Sequence, residues 1–303
     1  MHQDKTNAGQ SGVQSRKGFT LAFRQLVASH LPSAIMSGPN TPEQLKRALE
    51  TLSDGVPLLA NFEIEVPESA LSSYADKLSG VLFSRLSDFF HNAGVDQSDL
   101  IVLPKSMSPM VSSILKGNTA ASALIGGANM LPEDVRSLIG TMLLRPVRQT
   151  VRMAFEQDHP SHDWRLGYCP VCGLWAPMGR IEPEHGRRLL WCIGCDGQWR
   201  FPRMCCPVCY ERDQMNLGYL TVEEWPAWRL YTCETCHHSM RTRDERHADC
   251  AGAPEMDIDY FDSAILDDVA KREGYHPVKV GEQAFRPPFA EAAKDYLERS
   301  KNI

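Results

Sequence analysis

All ten cysteines of this 303-residue chain lie between Cys169 and Cys250, and eight of them form four C-x-x-C pairs. The pairs are Cys169/Cys172, Cys192/Cys195, Cys206/Cys209 and Cys233/Cys236. A C-x-x-C turn aims two sulfurs at one ion, and a second such turn on a neighbouring hairpin completes a tetrahedral thiolate shell. Nineteen residues separate the first two pairs and twenty-three the last two, close to the spacing of ribbon-type sites. The spacing therefore predicts two consecutive four-cysteine sites, each holding one metal ion.

An internal repeat supports this pairing. Cys-Pro-Val-Cys occurs at 169–172 and again at 206–209, and the segments ending at Cys195 and Cys236 share the pattern R-L-x-x-C-x-x-C from Arg188 and Arg229. The offsets are 37 and 41 residues, so the second unit carries four extra residues in its loop. Duplication of one small ribbon accounts for the echo. Leu189-Leu190-Trp191 and Leu230-Tyr231 read as strands entering the trailing knuckles, and Gly173 and Gly194 suit tight knuckle turns. Cys205 and Cys250 remain over. Only Cys206 gives the C-P-V-C spacing, and Cys250, three residues after His247, is not needed once both sites are full. Both read as spare or structural thiols.

Disulfides are the main alternative for clustered cysteines, and they belong to oxidising compartments. The N-terminal segment argues against export: residues 1–18 read as a polar, mobile tail, and Phe19-Thr20-Leu21-Ala22-Phe23 is cut by Arg24, too short for a signal core. Ser15-Arg16-Lys17-Gly18-Phe19 has lysine where a twin-arginine signal needs its second arginine. No run reaches the ~18 apolar residues of a membrane span. A reduced, cytoplasmic location is expected.

The cysteine-rich part is too small to supply the whole core, and its six tryptophans, Trp164, Trp175, Trp191, Trp199, Trp225 and Trp228, read as packing around the knuckles. Before it, Thr41 and Pro42 open a helix through Leu52. Pro67 opens a longer one that carries Leu71, Tyr74, Leu78, Leu82, Leu86 and Phe89 to a stop at Gly94. From Pro132 a third stripe runs through Val135, Leu138, Ile139, Met142 and Leu143, with Pro146 restarting it into Val147, Val151 and Phe155. Gly126-Gly127 reads as a turn between helical segments. After the ribbons, Tyr260 to Arg272 forms a helix carrying Phe261, Ile265 and Val269, and Pro288 to Arg299 forms another. The expected fold is a multi-domain α+β chain. A helical N-terminal domain (1–163) precedes two tandem rubredoxin-like or zinc-ribbon modules (164–204 and 205–252), and a C-terminal helical tail (253–303) packs back on the body.

The tandem units beginning Cys169-Pro-Val-Cys-Gly, with Leu-Leu-Trp-Cys-Ile-Gly-Cys ahead of Trp199 and then Cys206-Pro-Val-Cys, resemble the formate dehydrogenase accessory protein family, FdhE. The helix from Asp259 that ends in Arg272-Glu273-Gly274-Tyr275 is similar to that family's C-terminal helix. The resemblance covers about residues 165–276; over the N-terminal half only a helical character is shared. It implies a cytoplasmic maturation factor, not itself an enzyme, that contacts the catalytic subunit of formate dehydrogenase before its export. It also implies two rubredoxin-like, iron-holding sites: Cys169, Cys172, Cys192 and Cys195 for one ion, and Cys206, Cys209, Cys233 and Cys236 for the other.

From the residues alone, thiolate cages accept zinc as readily as iron, and a closed four-thiolate shell leaves no position for substrate or activated water. The rival reading is a generic zinc-ribbon module for binding protein or nucleic acid. Charge argues against nucleic acid: from Trp164 to Cys250 eleven arginines balance eleven acidic residues without a lysine, and the whole chain stands at −6. Arg187-Arg188, Arg241, Arg243 and Arg246 can face a partner, or equally pair with Glu182, Glu184, Glu245 and Asp249. An independent enzyme has no support: there is no G-x-S-x-G elbow, no phosphate-cradling loop and no H-E-x-x-H, and His237-His238 read as exposed knuckle neighbours.

Overall fold

The computed structural model describes residues 35–37, 42–61, 63–103, 107–126, 130–158, 164–247, 250, 255–281 and 289–300. The expectations placed on residues 1–18, Thr41, Gly127, Asp249 and Pro288 lie outside these.

A short antiparallel pair, β1 (Ile35–Ser37) and β2 (Glu63–Glu65), brackets α1 (Pro42–Ser53) and a 3₁₀ turn at Leu58–Asn61. Then comes α2 (Glu68–Asn92), opened by Pro67, whose fixed φ suits a helix start. Its stripe of Leu71, Tyr74, Leu78 and Leu82 is buried as the 3.6-residue period demands. The stripe fails at Leu86, where φ −130° and ψ 26° leave the helical region. That break shifts the buried register, so Leu86 and Phe89 are exposed, and Phe90 takes the core position, stacked on Phe83 at 4.7 Å. Short helices α3 (Gln97–Leu100) and α4 (Met107–Leu115) lead to α5 (Glu133–Leu143) and α6 (Arg145–Asp158). The interruption falls at Leu144, with Pro146 in the first turn of α6, where a missing N–H costs nothing.

The remaining strands form one mixed sheet: β3 (Met178–Ile181), β4 (Arg188–Trp191), β5 (Gln198–Phe201), β6 (Leu217–Leu220), β7 (Trp228–Cys233) and β8 (His238–Asp244). Each repeat unit is a three-stranded antiparallel meander. The two are stitched edge to edge by a parallel β3·β8 pairing, Met178 opposite Arg241 through Ile181 opposite Asp244, giving the order β5-β4-β3-β8-β7-β6. The ribbons thereby cover each other's open edges. Helices α7 (Met256–Asp262) and α8 (Ile265–Arg272) follow, then β9 (His276–Pro277), which adds in parallel to β8, and α9 (Phe289–Ser300).

The two-residue alternation along the strands sends side chains to two cores. Leu190, Trp199 and Phe201 join the large core shared with α1 to α6, whereas Met178, Trp191, Trp228 and Leu230 pack under α7 and α8 against Met256, Tyr260, Leu266 and Ala270. The single helix expected over Tyr260–Arg272 is instead two, broken at Ser263 and Ala264. Ser263 is fully buried, donating its hydroxyl to the Asp259 carbonyl and accepting from Arg241 Nη1 at 2.8 Å. The break turns Ile265 out to 47% exposure and puts Leu266 in its place. Of the tryptophans, five are buried and Trp225 is half-buried.

Candidate metal centres

The four C-x-x-C segments fold into the same knuckle. In each, the residue after the second cysteine donates its backbone N–H to the carbonyl of the first: Gly173 to Cys169 (2.9 Å), Asp196 to Cys192 (2.8 Å), Tyr210 to Cys206 (3.0 Å) and His237 to Cys233 (2.8 Å). That residue has a left-handed backbone every time, with φ of +71°, +63°, +62° and +53° in chain order. Gly173 does this freely; Asp196 and His237 pay a modest penalty, and Tyr210, bulky and buried, a larger one. Gly194 has a different role from the turn expected of it. Its φ is not positive, and a Cβ there would come within 2.5 Å of Leu174 Cδ1. It is small so that the two knuckles of the first ribbon can meet.

These turns bring the eight sulfurs together in two sets of four, Cys169, Cys172, Cys192 and Cys195, then Cys206, Cys209, Cys233 and Cys236, with the sulfurs of each set within 4.8 Å of one another. Cys169 and Cys195 sulfurs lie 3.4 Å apart, as do those of Cys172 and Cys192; in the second set Cys206–Cys236 and Cys209–Cys233 are each 3.6 Å. A tetrahedron with metal–sulfur bonds of ~2.3 Å has edges of about 3.8 Å, so both sets fit an ion. All ten cysteines are free thiols. Cys205 and Cys250 stand outside both sets: Cys205 is buried, its thiol pushed up to about 11 mainly by that burial, and Cys250 Sγ points at the Asp244 carbonyl at 3.3 Å.

Proton sharing within each set shows what a cation would change. Burial drives the Cys169 thiol well up; burial also opposes ionisation of Cys192, but S–H donation from Cys169, Cys172 and Cys195 outweighs it and holds Cys192 well down. In the second set Cys206 is pushed far up by donating to Cys209, Cys233 and Cys236, while Cys209, accepting from Cys206 and Cys236, falls to about 2. Four sulfurs at this separation cannot all ionise without a positive charge among them; a divalent ion lets them do so together. Backbone N–H groups already face the sulfurs, that of Cys195 toward Cys192 and that of Cys236 toward Cys233.

The surroundings of the two sets differ. The first is fully buried, whereas Cys209 and Cys236 of the second are half-buried. Helix α6 lays three arginines against the first set: Arg145 Nη1 donates to the Ile193 carbonyl and Arg152 Nε to the Cys195 carbonyl, both at 2.7 Å, and Arg148, 1% exposed, passes beside Gly194. The 3₁₀ turn grips the leading knuckle, with Leu58 N–H on Pro170 O (2.8 Å) and Leu59 N–H on Val171 O (2.9 Å). Sequence reading missed these arginines; the one available signal was their i, i+3, i+7 spacing, which also describes a solvated face. The patch considered at Arg241, Arg243 and Arg246 is spent internally, on Asp267, Asp259 and Asp244. Of the acidic partners considered for it, Glu245 pairs instead with Arg180.

No protein-family model matches the chain. Among curated proteins it is similar to an FdhE homologue of Aquifex aeolicus, 27% identical over 154 residues, covering 50% of this chain and 53% of the relative. An FdhE homologue of Shewanella oneidensis is 24% identical over 57% of this chain and 56% of the relative, and Escherichia coli FdhE is 27% identical over 36% and 34%. The chain thus spans about a third to a half of these relatives' lengths. Among solved structures, the FdhE protein of Pseudomonas aeruginosa superposes with a TM-score of 0.57 at 19% identity, over 90% of this chain and 93% of that one, so the fold is shared almost throughout. Sequence relatives and shared fold point the same way: the chain is similar to FdhE proteins in sequence over up to 57% of its length and in fold over 90% of it.

Proposed function

We propose that the protein is an accessory factor in formate dehydrogenase maturation, docking on that enzyme's catalytic subunit in the cytoplasm rather than catalysing a reaction of its own. The observation that carries this reading is the pair of complete four-sulfur sets on a fold shared with FdhE. Cys169, Cys172, Cys192 and Cys195 would hold one ion and Cys206, Cys209, Cys233 and Cys236 the other, with iron favoured by the family resemblance and zinc equally suited to the thiolates. When bound, the ions supply cross-linking and, if iron, a one-electron redox couple. The chain's own residues do the rest: the knuckle amides orient toward sulfur, and α6 holds the first ribbon rigidly against the helices. No helix among the described residues is long and apolar enough to cross a membrane.

Affinity capture of the tagged, full-length protein from cells making formate dehydrogenase tests the reading. Retention of the catalytic subunit is expected, together with lost formate dehydrogenase activity in a strain lacking this chain. Unaltered activity in that strain contradicts it.

A further inference from the structure

Beside the second sulfur set, a cavity of about 260 Å³ is lined by Arg188, Cys205, Leu217, Tyr231, Met240 and Val278 among others. Arg188 is 2% exposed, yet no carboxylate pairs with it among the described residues. Among the described residues its Nη1 donates to the Cys205 carbonyl at 3.3 Å, its Nη2 meets only the Met240 thioether at 3.3 Å, and its Nε has no partner. A guanidinium offers five donors, and a thioether is a weak acceptor. Such a buried, underpaired cation is costly to keep. Burial lowers its pKa, outweighing the opposing fields of Tyr231, Cys206 and Cys205.

The repeat shows that the ribbon does not require this arrangement. Arg229 holds the matching place in the second R-L-x-x-C segment, where it is half-buried and donates to the backbone carbonyls of Pro226 and Trp228. Arg188 instead lies with its guanidinium carbon 4.9 Å from the Tyr231 ring and 5.7 Å from that of Phe201. A guanidinium flanked by aromatic faces keeps its in-plane N–H fork for an anion, the geometry that recognises a carboxylate. At the mouth, exposed Arg203 also lines a neighbouring groove with Arg165, Arg187 and Arg200, and among the described residues no acidic one lines that groove. On a chain of net charge −6 this is a local positive field that draws anions toward Arg188.

We propose that this cavity binds a carboxylate carried on a short apolar stem, supplied by a free organic acid or by the end of a polypeptide. Arg188 takes the carboxylate, and Leu217, Tyr231 and Val278 take the stem. The volume lies just below that of drug-sized sites, which suits one ring or one side chain. The site stands apart from the identity of the metals and from the formate dehydrogenase reading, so either can fail without the other.

Calorimetric titration of the full-length protein as purified tests the proposal, with phenylacetate against phenylacetamide, and a short peptide ending in phenylalanine with a free against an amidated C-terminus. A charge-assisted pair predicts that at least one acid binds ~10-fold or more tightly than its amide; which acid does so identifies the source. Arg188→Met, which keeps the stem and removes the charge, should lose that preference, and Arg203→Gln should weaken acid binding severalfold while leaving the fold intact. Equal binding of acid and amide, no binding of either probe pair, or undiminished acid affinity in folded Arg188→Met overturns it. Should Arg188→Met not fold, Arg203→Gln decides by the same criterion.

Discussion

At the scale of single residues, the knuckles divide the cysteines sharply. Replacing Cys169 or Cys233 by serine should remove one ion and leave one bound per chain, while Cys205→Ser and Cys250→Ser should keep two; elemental analysis of each purified variant checks this, and equal loss from Cys205→Ser would show the second set to be wrongly drawn. Gly167 is a second point of leverage. A Cβ there would lie 1.8 Å from the Pro207 carbonyl oxygen, where the first ribbon's approach touches the leading knuckle of the second. Gly167→Ala should therefore destabilise the fold by about 1–3 kcal/mol, as overpacking does, read as a lowered denaturation midpoint. The eight clustered cysteines were legible in the sequence because their spacing is itself the geometry: four identical turns need no tertiary information. Gly167 was not, because its constraint comes from a residue forty positions away in the chain.

At the scale of elements, period and punctuation located the helices but not their breaks. Pro67 and Pro146 stand where helices begin, whereas the backbone break at Leu86 and the buried hydroxyl of Ser263 redirect stripes that look continuous in sequence. The same limit hid the polar contacts of α6, though not the helix itself. Its Val147, Val151 and Phe155 were readable as core, while Arg145 and Arg148 on a neighbouring strip carried no distinguishing sequence signal of their own and are buried. Arg145 bridges α6 to α7 through Asp257 at 2.8 Å, with side chains 3% and 5% exposed. Breaking one partner of such a pair leaves a buried charge, so Arg145→Ala or Asp257→Ala should each cost about 3–5 kcal/mol in chemical denaturation. The Arg145→Met/Asp257→Leu double replacement should recover most of that loss; a double variant as unstable as the sum of the singles would show that Arg145 matters chiefly through the Ile193 carbonyl.

At the scale of the whole molecule, duplication has produced two ribbons with unequal settings. Sequence repetition announced the two units, but their fusion through the parallel β3·β8 pairing is a long-range choice that no local pattern encodes. The first sulfur set is sealed beneath α6 and the second is partly open at Cys209 and Cys236. A chelator should accordingly remove metal in two phases, the faster belonging to the second set, and Cys233→Ser should abolish the fast phase alone. Because binding energy at such sites is of the order of 10–16 kcal/mol of folding free energy, stripping both ions should cost the ribbons their native thermal transition.

The account rests on each set of four thiolates holding its own ion, and metal stoichiometry with a free-thiol count, on full-length protein purified without air, tests this most directly. Two equivalents of iron or zinc per chain, with no disulfide, is the predicted result, visible absorption marking iron. Folded protein that carries no metal, or in which these cysteines are joined as disulfides, would contradict it.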